Sequence, residues 1–248
     1  MRLCRNDLQR KQPPMQTVEL LAIGGHAGDA EISAGMALCH HARRGHRVAM
    51  LHLTLGERGH PTTAPSEYAR QKRREAWEAA KVLDAQIAFL PYLDGELPVD
   101  RQVQEEICDV IRACRPKVII THWGGSIHKD HEAAHLNTIQ AHFYAALKTF
   151  QRPLPPHSVG RVLYAENWED PIHFDPELFL EIDAEDIELW TQMVQCYGLF
   201  RGEWPTFRYV DYYKALARTR GLQIGKEYAC AFAVPPWSRR RCVSSLIP

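Results

Sequence analysis

Apolar residues crowd the stretch Val18 to Ile23, give way to Gly24-Gly25-His26-Ala27-Gly28-Asp29, and then recur every three to four positions from Glu31 to Arg44. The first pattern is that of a strand buried on both faces, the second that of an amphipathic helix. Ile32, Met36, Leu38 and Ala42 form the helix's apolar side, Asp29 is placed to cap it and Gly45 to end it. The same alternation repeats. Strands are predicted over Arg47–Leu55, Gln86–Leu90 and Lys117–Thr121, and helices over Ser66–Leu83, Val99–Arg112 and Asp130–Phe150. Strands alternating with helices in this way predict an α/β fold: a mostly parallel sheet, helices on both faces, right-handed crossovers.

Beyond Pro153-Leu154-Pro155-Pro156 the pattern is less regular. Strands are expected at Arg161–Ala165, Leu178–Ile182 and Tyr228–Val234, helices at Glu185–Phe200 and Tyr209–Thr219, and a polar loop at Glu166–Asp170. No internal repeat interrupts this order. The reading is one domain over 16–234, with a regular core (16–150) and a C-terminal elaboration (151–234). Residues 1–15 are expected to be a disordered leader, with Met15 a candidate natural start, and 235–248, carrying Arg239-Arg240-Arg241, a disordered tail.

Composition narrows the function classes. In 248 residues, 30 basic side chains balance 30 acidic ones, so no net field points to nucleic acid or an anionic membrane. No apolar run is long enough to span a bilayer. Seven cysteines lie scattered with no C-x-x-C pair, which argues for reduced thiols in a cytoplasmic protein rather than disulfides or a cysteine zinc site. The expected partner is a small-molecule substrate, and a homo-oligomer is left open. Thirteen histidines direct attention to metal or proton chemistry.

Topology concentrates that chemistry. Loops leaving the parallel strands open on one sheet edge, where ligands bind in such folds. Their polar residues are His26, Asp29, Glu57, Asp94, His128, Asp130 and His131. A catalytic zinc takes three nitrogen or oxygen ligands and keeps one position open. His26, Asp29 and His131 supply that set, as against plain loop and cap residues. His131-Glu132-Ala133-Ala134-His135 also matches H-E-x-x-H, the metalloprotease pattern, but sits at a helix start after a parallel strand, so His135 is read as structural. His128 is either a proton donor beside the metal or a surface histidine, and Asp130 a histidine-orienting group, a helix cap or both. Glu57, between Gly56 and Gly59, and Asp94, in Leu93-Asp94-Gly95, fit turns as well as a site. Arg73 reads by default as solvated charge on a helix.

These residues resemble the PIG-L/LmbE-like deacetylase family. His26-Ala27-Gly28-Asp29 stands where the family has His-Pro-Asp-Asp, followed by Ala30-Glu31-Ile32-Ser33-Ala34-Gly35. Arg44-Gly45-His46, Thr54-Leu55-Gly56-Glu57-Arg58-Gly59, the arginine-led helix Arg73–Leu83 and His128-Lys129-Asp130-His131 continue the likeness, which is firm over 17–145. The resemblance implies a Rossmann-like three-layer sandwich and zinc-dependent removal of an N-acetyl group from a glucosamine-type sugar. Fe2+ or Mn2+ suit such a His/Asp set as well. It implies His26, Asp29 and His131 as zinc ligands. It implies His128 as oxyanion stabiliser or general acid with Asp130 orienting it, and Arg73 and Asp94 as sugar-binding residues.

One position departs. The first aspartate of Asp-Asp is the family's usual general base, and here it is Gly28. Losing a positioned base costs about 10²–10⁴-fold. Glu57, or second to it Asp130, is then the expected base. Two alternatives stay open. One is a metal-dependent hydratase of an unsaturated dicarboxylic acid using Glu57. The other is a zinc-retaining binding protein with little or no turnover.

Overall fold

The computed structural model describes residues 15–238, so the expected leader through Pro14 and the Arg239-Arg240-Arg241 tail lie outside the described residues. The elements in chain order are β1 (Leu20–Gly24), α1 (Asp29–Ser33), α2 (Gly35–Arg43), β2 (Val48–Thr54), α3 (Pro65–Val82), β3 (Gln86–Tyr92), α4 (Arg101–Cys114) and β4 (Val118–His122). Then come α5 (Lys129–Ala146), β5 (Arg161–Ala165), β6 (Leu178–Ile182), α6 (Ala184–Val194), α7 (Gly198–Arg201), α8 (Tyr209–Gln223) and β7 (Tyr228–Ala233). Pro236–Ser238 form a short 3₁₀ turn, at the start of the segment expected to be a disordered tail.

All strands share one seven-stranded sheet in the order β3-β2-β1-β4-β5-β7-β6. β3, β2, β1, β4 and β5 run parallel, while β7 is antiparallel to both β5 and β6. With helices on both faces this is the expected Rossmann-like three-layer sandwich. Alternate residues of β1 feed opposite cores, as the two-residue period of a strand requires. Leu20 and Ala22 pack with Met50, Leu38 and Trp190; Leu21 and Ile23 pack with Leu51, Ile119, Val103 and Ile107.

Element boundaries follow the reading to within a few residues, with instructive exceptions. The single helix expected over 31–44 is two, hinged at Ala34. A Cβ at Gly35 would lie 2.6 Å from Met193 Cε and 2.7 Å from Trp190 Cδ1, so α6 presses where the helix breaks. The helix expected to reach Phe150 stops at Ala146, where Leu147 turns extended. The helix expected over 185–200 ends at Val194 and is followed by the one-turn α7. Among the described residues no helix is long and apolar enough to cross a membrane.

Candidate active site

The parallel order puts the C-terminal ends of β1, β4 and β5 side by side, and their loops converge. After β1 the chain turns sharply at Gly28, whose φ of 109° is left-handed backbone that suits glycine. That turn lets the His26 N–H donate to Asp29 Oδ2 at 2.7 Å and brings His26 Nδ1 within 3.0 Å of the same oxygen. From β4 and the first turn of α5, His122 Nε2 and His131 Nε2 each approach that oxygen to 3.3 Å. One carboxylate oxygen thus faces three imidazoles.

Asp170, in the turn after β5, fixes two of those rings. Its Oδ2 accepts from His122 Nδ1 and its Oδ1 from His131 Nδ1, each at 2.9 Å. A carboxylate on the far nitrogen sets the tautomer and orientation of a metal-binding histidine. The two rings differ at Nε2. That of His122 accepts the Gly25 N–H at 3.0 Å, whereas that of His131 is buried without a hydrogen bond. His122 is therefore already satisfied and His131 carries the open donor atom.

Asp29 Oδ2 stands at metal-donor spacing from both His26 and His131. Donors about 2.0–2.1 Å from a tetrahedral zinc stand roughly 3.3 Å apart. Asp29 Oδ2 lies 3.0 Å from His26 Nδ1 and 3.3 Å from His131 Nε2. The orphaned His131 nitrogen is what a bound cation would satisfy. Three donor atoms come within 4.8 Å of one another in His26–His128–His131, in Asp29–His122–His131 and in His26–Asp94–Asp130, groups that share members with the set of His26, Asp29 and His131.

The electrostatics are tightly coupled. Burial works against charge on His26, yet Asp29, Asp130 and Asp94 around it hold its pKa well above the usual histidine value. Burial likewise opposes charge on His131, and Asp29 and Asp170 overcome it, raising its pKa to about 9. Burial would raise the Asp29 carboxyl, but His131 and His26 hold it well below the usual carboxylate range. A raised histidine pKa contributes stability below its unfolded value of about 6.5 and loses it as pH rises through the folded value. The metal-free protein is thus expected to lose stability as pH rises toward and through about 9. Metal entry must displace these protons, so affinity should rise over the same interval with proton release, measurable by titration calorimetry in buffers of different ionisation enthalpy.

The other expected site residues divide. His128 caps α5, its Nδ1 accepting the Asp130 N–H at 3.2 Å, and its ring lies 4.6 Å from that of His26 at the cleft. Burial, then His26 and His131, lowers its pKa, leaving a neutral ring with the hydrogen on Nε2. Asp130 orients His26 rather than His128. Its Oδ2 lies 3.3 Å from His26 Nε2 and accepts Gly95 N–H at 2.6 Å, and the carboxylate is fully buried. Asp94 lines the cleft, with Oδ1 3.2 Å from His26 Nε2. Glu57 is 4% exposed and its Oε1 accepts the Asp94 N–H at 3.0 Å; Gly56 and Gly59 line the cleft beside it, but Glu57 does not. Arg73 is turned away, its guanidinium carbon 4.5 Å from the Phe89 ring centre. On a helix the next residue points about 100° away, and Lys72 faces the cleft instead. His135 hydrogen-bonds the His122 carbonyl at 2.9 Å, so the H-E-x-x-H match is no metal-binding pair.

Sequence reasoning missed His122, Lys72, Glu169 and Asp170. The signals were faint: a histidine ending a parallel strand, and acidic residues in the loop after the next one. Glu169 lines the cleft with Oε2 3.8 Å from His131 Nε2. Its backbone is pinned, with N–H donating to Asn167 Oδ1 and C=O accepting from Ile127 N and Ser126 Oγ.

Residues 21–142 match the family model described as PIG-L, GlcNAc-PI de-N-acetylase. Diacetylchitobiose deacetylase of Thermococcus kodakarensis is 27% identical over 84% of this chain and 87% of its own. 4-Oxalmesaconate hydratase of Pseudomonas putida is 26% identical over 90% of this chain and 88% of its own. The crystal structure of a conserved protein from Thermus thermophilus superposes with a TM-score of 0.78 at 26% identity, over 90% of this chain and all of the other. The converging loops of β1 and β4 lie within the segment that matches the PIG-L family model.

Proposed function

We propose that the protein is a zinc-dependent deacetylase of a small N-acyl compound, an N-acetylglucosamine-type sugar or glycoside. The observation that carries this is the approach of His26 and His131 to one Asp29 oxygen, with His131 Nε2 buried and lacking a hydrogen bond. A zinc held there would polarise the acyl carbonyl and acidify a water. The rest falls to the chain's own groups. Glu169 is the base: it lines the cleft, its carboxylate makes no hydrogen bond among the described residues, and burial raises its pKa toward the range a general base needs. It takes the proton of the attacking water and returns it to the departing amine. His128, neutral with its hydrogen on Nε2, donates to the developing oxyanion. Asp94 and Trp168 on the cleft wall suit a sugar's hydroxyls and apolar face. Five free thiols among the described residues support a reducing, cytoplasmic setting.

The test is acetate release from N,N'-diacetylchitobiose and N-acetylglucosamine, with elemental analysis of the same sample. One zinc per chain is expected, with activity lost to a chelator and restored by zinc. Protein that stays metal-free after zinc-supplemented expression would sink the reading.

Gly28 and the hydratase relative favour a second reading, hydration of an unsaturated dicarboxylic acid at the same site. Water addition to such an acid, without acetate release from any N-acetyl sugar, would select it.

A further inference from the structure

Lys72 is 3% exposed, yet it lines the cleft from α3. A buried ammonium is costly unless paired. Among the described residues its Nζ makes no hydrogen bond or ion pair; it lies over two aromatic rings, 4.9 Å from the Tyr197 centroid and 5.9 Å from Tyr68. Ring faces satisfy its charge but leave its N–H donors without oxygen acceptors. Among the described residues no carboxylate oxygen forms an ion pair with Lys72, although Glu75 Oε2 is buried without a hydrogen bond. Glu31 accepts from the Tyr197 hydroxyl at 2.5 Å and from Gly28 N, and Glu75 Oε1 accepts from Gln71 and Gly198 N. Asp29 faces the histidines.

Position 28 explains why Lys72 has no acidic partner. A Cβ on Gly28 would lie 3.3 Å from Lys72 Nζ, so a carboxylate side chain there would pair with the lysine. Glycine provides none, and its φ of 109° keeps most other residues out. The space beside His26 and Asp29 is thus walled by the Lys72 amine, whose charge burial opposes and Asp29 and Glu75 favour.

We propose that Lys72 is the recognition group for an anionic substituent, a carboxylate, carried by the substrate close to its reacting acyl group. This narrows the deacetylase reading, on which it rests, from neutral N-acetyl sugars to N-acyl compounds bearing an acid. Desolvated charge-assisted hydrogen bonds are the strong ones, so the preference should be about tenfold or more.

The test uses zinc-loaded protein and equilibrium binding by tryptophan fluorescence, Trp168 being a cleft residue. The probes are N-acetylmuramate and N-acetylglucosamine, which share ring and acetamide and differ by a lactyl carboxylate on the neighbouring carbon. Wild type is expected to bind N-acetylmuramate about tenfold or more tighter. Lys72→Met and Lys72→Gln should each erase that gap while zinc content and N-acetylglucosamine affinity hold. Two charge-removing variants guard against one failing to fold. Equal binding of both probes by wild type overturns the proposal, as does a preference that persists in both variants. Acetate release is assayed separately. If neither probe is hydrolysed while the Lys72-dependent preference holds, the deacetylase reading falls and the anion site stands.

Discussion

Glu169→Gln is expected to lower kcat by about 10²–10⁴-fold, the usual contribution of a positioned base, with zinc content and KM little changed. The substitution keeps the shape of the side chain and removes its ability to take a proton. The backbone bonds to Asn167, Ser126 and Ile127 would remain. Parallel measurement of kcat and bound zinc separates the possible roles. A variant that loses zinc with its activity would make Glu169 a ligand rather than the base, since Oε2 is only 3.8 Å from His131 Nε2. A variant with wild-type kcat would return the role to Glu57, which would then have to leave its hydrogen bond to the Asp94 N–H.

Asp170→Ala should be the most damaging substitution to the site as a whole. Both carboxylate oxygens hold histidine Nδ1 atoms, and the side chains of His122 and His131 are 2% and 1% exposed. Removing one partner of such a buried cluster typically costs about 3–5 kcal/mol. Loss of the group that orients a metal ligand costs about 10–100-fold in metal affinity. Denaturant unfolding at neutral pH and competitive zinc titration measure the two separately. The pH dependence gives a further check. Burial would raise the Asp170 carboxyl, but His122 and His131 hold it well below the usual carboxylate range. A depressed carboxylate contributes stability above its unfolded pKa, about 4, and loses it as pH falls through the folded value. Wild type should therefore lose this increment in acid and the alanine variant should not. Equal stability of the two at neutral pH would dismiss the clamp.

The parallel half of the fold was legible because strands buried on both faces read as short apolar runs between amphipathic helices. β5 and β6 were also found at their expected bounds. The insertion of β7 between them was not legible, since the three strands carry no signal of pairing order or direction. Ala34 broke a helix that the apolar period carried straight through, because the cause is tertiary: Trp190 and Met193 crowd Gly35 from far along the chain. In the site, His26, Asp29 and His131 were readable from strand-end position and spacing. Arg73 was expected at the cleft, which its neighbour Lys72 lines instead, a difference of helix phase that a charged run such as Lys72-Arg73-Arg74 conceals. Asp170 could not be singled out, because its role depends on two rings that come together only in the folded chain.

The proposed metal donors and the proposed base, with the carboxylate beside it, come from different stretches. The former lie within residues 21–142, while Glu169 and Asp170 belong to the turn after β5. Such a division bears on descent. Under the proposed function, a change in that one short turn or at Gly28 would alter the chemistry and leave the proposed donor set in place. Overall likeness then becomes a poor guide to reaction type: a deacetylase at 27% identity and a hydratase at 26% stand at nearly the same distance from this chain. In this chain the positions on which the proposed chemistry turns are 28, 72 and 169, three residues that weigh little in similarity along the whole chain.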